Sequence, residues 1–284
     1  MIAHAFEYTA PASLAEALAL IANGGKPLSG GMSLIPMMKL RLAAPEHLVD
    51  LGKLAELNYI RDEAGELRIG AATTYYQIES SPLLRGKCPL LTETAENIGD
   101  IQVRNMGTLG GSIAHADPAA DYPATLQALE AKIVLRSSGG ARTLSARDFF
   151  VDTFTTALEQ GEIVSEIIVP VEPGLTGTSY QKCKHPASGY AVVGVAVRTR
   201  LAGGVLGMIR VGVTGLSGSS FRAENVEAAL LGKTPNESDI VAASKLVAEG
   251  QDASTDLQAS SEYRKHLAAN YTARAIRQAL SRSA

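Results

Sequence analysis

The chain has 284 residues, of which 46% are apolar and 19% charged, with a formal net charge of −3; this is enough for two or three units with cores of their own. A near-neutral balance with no concentrated basic surface excludes nucleic acid as the partner. The longest uninterrupted apolar stretch, residues 191–197, falls far short of the roughly 20 residues a membrane-spanning helix needs.

The elements follow in chain order. Ser13 and Glu16 form an S-x-x-E capping box for a helix whose Leu14, Ala17, Leu18 and Ile21 share one face, ended by Gly24 and Gly25. A short strand over 26–28 leads into a first glycine segment, and a strand over 47–51 follows Pro45. Residues 67–72 read as a strand running into Thr73 and Thr74 as a cap. Helices are expected over 89–97 and 119–129, a hairpin over 132–136 and 141–144, a segment capped by Ser145, and a strand over 162–169. Pro170, Pro173 and Gly174 mark a boundary, after which 179–184, 190–199 and 205–216 read as an antiparallel meander turning at Gly203 and Gly204. Three helices, over 223–231, 238–249 and 260–281, complete the chain. The basic residues of the last, Arg264, Lys265, Arg274, Arg277 and Arg282, read as a solvated face. The units are 1–55, 56–172 and 173–284: two α/β units and a C-terminal α+β unit of strands then helices.

Two glycine pairs carry the functional signal: Ser29-Gly30-Gly31-Met32-Ser33-Leu34 and Thr108-Leu109-Gly110-Gly111-Ser112. Residues without a Cβ let backbone approach a ligand, and consecutive free amides make a concave donor site for an anion such as a pyrophosphate. Neither segment follows a standard nucleotide fingerprint. None of the 27 glycines has another two positions away, so no G-x-G-x-x-G exists, and Gly232-Lys233-Thr234 has Glu227 where a P-loop needs its first glycine. No G-x-S-x-G, H-E-x-x-H or paired Cys/His spacing is present. His115 and Asp117 read as loop residues bonded to backbone in preference to metal ligands. Chemistry therefore belongs to a bound cofactor. Cys88 and Cys183 are too few to ligate an iron–sulfur cluster and read as structural thiols. With Glu7 near the start and no apolar leader, a cytoplasmic protein is expected.

The stretches Gly30-Gly31-Met32-Ser33-Leu34-Ile35-Pro36-Met37-Met38-Lys39-Leu40-Arg41 and Ile98-Gly99-Asp100-Ile101-Gln102-Val103-Arg104-Asn105-Met106-Gly107-Thr108-Leu109-Gly110-Gly111-Ser112, with Asp117-Pro118-Ala119-Ala120-Asp121 and residues 182–194, closely resemble the FAD-binding medium subunit of the molybdenum hydroxylases. The resemblance covers essentially the whole chain. It implies two α/β FAD-binding subdomains and a C-terminal domain closing over the flavin. Carried over, residues Ser29, Gly30, Gly31, Met32, Ser33 and Leu34, together with Thr108, Leu109, Gly110, Gly111 and Ser112, would hold the FAD pyrophosphate by backbone amides and hydroxyls. Asp121 would accept from the ribose, or else serve as a second acid at a helix start. Lys182 would lie at the N1–C2=O edge of the isoalloxazine, or else be a surface charge, and Tyr190 would stack on the flavin, or else be a core aromatic of its strand. Met32 and Met106 depart from the family's usual residues there, histidine or glutamine and arginine; the Met32 thioether donates no hydrogen bond.

The resemblance further implies a molybdenum-cofactor large subunit and a [2Fe-2S] small subunit as partners, with FAD passing electrons to NAD, a quinone or another acceptor. A self-sufficient FAD oxidoreductase, or a binding subunit without flavin, stands as the alternative.

Overall fold

The computed structural model describes residues 2–171 and 176–283; Pro173 and Gly174 of the expected boundary lie outside the described residues. The first unit runs β1 (Glu7–Thr9), α1 (Leu14–Ala22), β2 (Lys26–Leu28), α2 (Leu34–Lys39) and β3 (His47–Asp50), with a parallel sheet ordered β1-β3-β2. Ser13 caps α1 by accepting from the Glu16 amide, and the apolar stripe of α1 is buried as its spacing predicts. The sequence reading missed β1, which is three residues long and has no buried residue.

The second unit is built on an antiparallel sheet ordered β4-β5-β10-β6-β7. Its strands are β4 (Ile60–Glu63), β5 (Glu66–Gly70), β6 (Lys132–Ser137), β7 (Gly140–Ser145) and β10 (Ile163–Pro170), and β8 (Phe150–Asp152) and β9 (Thr155–Thr156) form a separate ribbon. Between β5 and β6 come α3 (Tyr75–Ser80), α4 (Pro82–Lys87), α5 (Pro89–Glu96), α6 (Ile101–Met106), α7 (Leu109–His115) and α8 (Asp121–Ala128), with α9 (Ala146–Phe149) after β7. Thr74 caps α3 in a full capping box with Gln77, and Ser145 caps α9, as expected. Every residue of α8 is buried, because it lies between this unit and the third. Its polar side chains are accordingly paired: Thr125 with Thr94 at 2.7 Å, and Gln127 with the Ala146 and Ser220 carbonyls.

The third unit is a sheet ordered β11-β12-β13-β14 from β11 (Gly177–Lys184), β12 (Ala191–Ala202), β13 (Val205–Thr214) and β14 (Phe221–Arg222), followed by α10 (Glu224–Leu230), α11 (Glu237–Ser244) and α12 (Ser261–Ser281). The antiparallel meander is present, extended by β14 beyond the three strands expected. One face of the sheet packs on α12 and the other on α8, where Tyr180 and Ala196 join the core of the second unit. Gly212 permits the second contact: a Cβ there would lie 1.9 Å from the Ala124 carbonyl oxygen. The basic residues of α12 are not a uniformly solvated face. Arg264 is buried and donates to the Val192 and Gly215 carbonyls and to Asp256, while Arg277 pairs with Glu237 and Arg282 with Glu93.

Candidate flavin site

The two glycine segments meet. Ser29 Oγ and Thr108 Oγ1 are hydrogen-bonded at 3.0 Å, and a Cβ on Gly30 would fall 2.0 Å from the Met106 carbonyl oxygen and 2.9 Å from Gly107 Cα. The first segment leaves the carboxyl end of β2, the end at which ligands bind in open α/β sheets. Gly31 takes a left-handed φ of 70°, which only glycine adopts without strain. Among the described residues, no hydrogen bond is donated by the amides of residues 30–34, and Ser33, at the start of α2, makes no side-chain cap bond. Met32 stands 38% exposed beside this run.

The second segment is a correction to its reading as a loop of free donors. Residues 109–115 form helix α7, capped by Thr108, whose hydroxyl accepts from the Gly111 amide at 3.1 Å. The Leu109 amide donates to the Thr73 carbonyl, Gly110 to the Ala71 carbonyl, and Ser112 to the Thr108 carbonyl, at 2.9–3.0 Å. Four of the five amides expected to face a pyrophosphate, those of residues 109–112, are therefore spent on the fold. Gly110 serves packing: its Cβ would sit 2.4 Å from Ala71 Cβ and 2.7 Å from the Ala71 carbonyl oxygen. What this segment offers a ligand is the Ser112 hydroxyl, the shared Thr108 hydroxyl and the exposed Gly111.

The third unit reaches the same place. Burial raises the Tyr190 phenol pKa, with a hydrogen bond to the Ser33 hydroxyl acting in the opposite sense, so the residue just before β12 meets the first glycine segment. Tyr190 is 41% exposed, which rules out its alternative reading as a core aromatic. Behind it Tyr75 and Tyr122 pack at 5.4 Å, and burial raises the Tyr75 phenol against the opposing effect of Ser112.

Asp121 and Lys182 are brought together. Lys182 Nζ donates to Asp121 Oδ2 at 2.9 Å and to the Asn97 carbonyl at 3.0 Å, while the Tyr180 hydroxyl donates to Asp121 Oδ1. The Lys182 side chain is 2% exposed and that of Asp121 5%, so Lys182 is not the surface charge its alternative reading proposed. Desolvation pushes both toward neutrality, raising the Asp121 carboxyl and lowering the Lys182 ammonium, and their mutual attraction opposes it. Tyr180 is the residue the sequence reading missed. It stands two positions before Lys182 on one strand and so shares its face, and Gly194 opposite leaves it room, since a Cβ there would lie 2.3 Å from the Tyr180 hydroxyl.

The described residues hold no group of three or more His, Cys, Asp or Glu able to take a metal ion. Cys88 is buried and Cys183 half-buried, both as free thiols, and burial pushes the Cys88 thiol up to about 12, which makes it unreactive. No described helix is long and apolar enough to cross a membrane.

Two family models account for nearly all of the chain: the FAD binding domain in molybdopterin dehydrogenase over residues 4–172 and the CO dehydrogenase flavoprotein C-terminal domain over 178–279. The chain belongs to the FAD-binding medium subunits of the molybdenum hydroxylases, the family of carbon monoxide dehydrogenase. It is 40% identical to the carbon monoxide dehydrogenase medium chain of Hydrogenophaga pseudoflava over the full length of both. It is 39% identical to the glyceraldehyde dehydrogenase medium chain of Sulfolobus acidocaldarius, with 96% of this chain and 98% of that one covered. Among solved structures, carbon monoxide dehydrogenase from H. pseudoflava superimposes with a TM-score of 0.97 at 42% identity, covering both chains completely. Quinoline 2-oxidoreductase from Pseudomonas putida 86 does so with 0.94 at 32%, again over the whole of both.

Proposed function

We propose that this chain carries FAD in a molybdenum hydroxylase, with the pyrophosphate held by the unspent amides of residues 30–34. That run of donors carries the reading. It is adjacent to the Ser29, Ser33, Thr108 and Ser112 hydroxyls, and a charged acceptor gains about 1.5–3 kcal/mol from each such bond. The residues fit the group: a diphosphate needs several convergent donors, and a lysine is not required. Leu109, Gly110 and the helix they begin shape the floor beneath it. Tyr190 fits a ring stacked on the isoalloxazine, shielding one face.

When bound, FAD supplies a junction between carriers that move electrons singly and an acceptor that takes them in pairs. The chain has only two cysteines, so [2Fe-2S] clusters belong to a small partner subunit and the molybdenum centre to a large one. NAD, a quinone or another carrier takes the electrons onward. A self-sufficient oxidase is the weaker reading, because both family models that match the chain describe flavin domains of molybdenum-containing dehydrogenases.

Calorimetric titration of the flavin-free chain tests the pyrophosphate site. FAD and ADP should bind and compete, and riboflavin, which lacks phosphate, should not compete with ADP. Tight riboflavin binding with no response to ADP would remove residues 30–34 from the site. Metal analysis tests the division of labour: the purified chain should carry flavin without iron or molybdenum, and acquire both only with co-purified subunits.

A further inference from the structure

A buried ammonium has three N–H donors. Two of those on Lys182 are used, by Asp121 Oδ2 and the Asn97 carbonyl, and the third has no partner among the described residues although the side chain is 2% exposed. An unmatched donor at that depth is costly unless a ligand meets it. The Asp121 carboxylate, by contrast, is supplied on both oxygens, by Tyr180 and Lys182. Asp121 begins α8 in the second unit, and Tyr180 and Lys182 lie on β11 in the third, so the cluster also crosses the boundary between the two. The Asp121 side chain is itself only 5% exposed, which leaves little of it to meet a ribose.

We propose that Asp121 is a positioning residue, acting on the flavin through Lys182 and not through the ribose, with Tyr180 fixing the carboxylate. Asp121 aims the third N–H of Lys182 at a cofactor oxygen and cancels the net charge of the ammonium. Lys182 then works as a directed donor whose field at the flavin is partly offset by the carboxylate. This rests on the reading of the chain as an FAD carrier.

A double-mutant cycle on the full chain tests it, reading FAD affinity by flavin fluorescence and midpoint potential by spectroelectrochemistry. Lys182→Met should weaken FAD about tenfold, one charged hydrogen bond's worth, and lower the potential. Asp121→Asn should raise the potential at low pH, where the ammonium is uncompensated, and the rise should vanish as pH increases and the unpartnered buried lysine loses its proton. In the Lys182→Met background Asp121→Asn should change neither quantity, since a buried carboxyl without a partner takes up a proton and is neutral already. The double variant contains no buried charge at this point, which guards the comparison against unfolding. Tyr180→Phe, which removes one hydroxyl, should weaken FAD in the wild-type background and be silent beside Lys182→Met. Equal weakening by Asp121→Asn in both backgrounds, at unchanged potential, would make Asp121 a direct ligand and overturn the proposal. Failure of the wild-type chain to bind FAD at all would instead strike the reading beneath it.

Discussion

The two glycine segments have nearly the same composition and opposite roles. Residues 29–34 keep their amides free because Gly31 turns the chain at positive φ and α2 begins only at Leu34. Residues 109–112 give theirs away, to the Ala71 and Thr73 carbonyls and to the cap and first turn of α7. A glycine pair thus marks a close approach without saying what approaches. At Gly31 it is the requirement for a left-handed turn, and at Gly110 it is the strand end at Ala71.

The difference predicts that variants of the first segment move cofactor affinity and variants of the second move stability. The largest effect is expected from Gly110→Ala, whose methyl would meet Ala71 backbone and side chain together. Overpacking of that kind costs about 3 kcal/mol or more, and thermal unfolding of the flavin-free chain should show the loss in full. A wild-type melting temperature would mean that α7 is not seated against Ala71 as described. Next comes Thr108→Val, which removes a helix cap worth about 1 kcal/mol and also the bridge to Ser29. Ser29→Ala removes only the bridge, so it should leave the melting temperature unchanged while loosening FAD about two- to tenfold. Equal effects of these two on melting would erase the distinction between the segments.

The smallest effect is one of pH. Burial holds the His115 imidazole at the end of α7 below its ordinary value, with Asp117 opposing. A base depressed in the folded state contributes stability that is complete above the unfolded value, about 6.5, and lost as pH falls through the folded value. Protection of the α7 amides, corrected for the intrinsic pH dependence of exchange, should therefore fall below that pH, and His115→Asn should flatten the response. Residues 29–34 contain no titratable side chain and give no comparable signal.

Much of this was legible in the sequence where local chemistry decides structure. The Ser13, Thr74 and Ser145 caps, the 132–145 hairpin and the Gly203-Gly204 turn all form as their residues dictate. Helix α7 was not legible, because two glycines have poor helix propensity and the bonds that hold its start come from Ala71 and Thr73, nearly forty residues away. Tyr180 escaped for a related reason. Its i, i+2 relation to Lys182 was visible, but its carboxylate partner lies across the boundary between two units. The mutual proximity of Ser29 and Thr108 was anticipated as shared service to one diphosphate, and the direct bond between them is a property of tertiary packing alone.

The seating of α8 has a consequence for how a cofactor is exchanged. The carbonyls of Pro118, Ala119 and Ala120 accept from Gly215, Ala191 and Thr214, and Gly212 lies flush against Ala124. Swinging the C-terminal unit away would break this row of hydrogen bonds and expose the buried packing around it. The first unit meets the second at the glycine segments by one hydroxyl pair and a backbone contact, and elsewhere its Leu14, Leu18 and Ile21 share a core with Ala72 and Ile163 of the second, so opening either flank of the free amides costs buried packing.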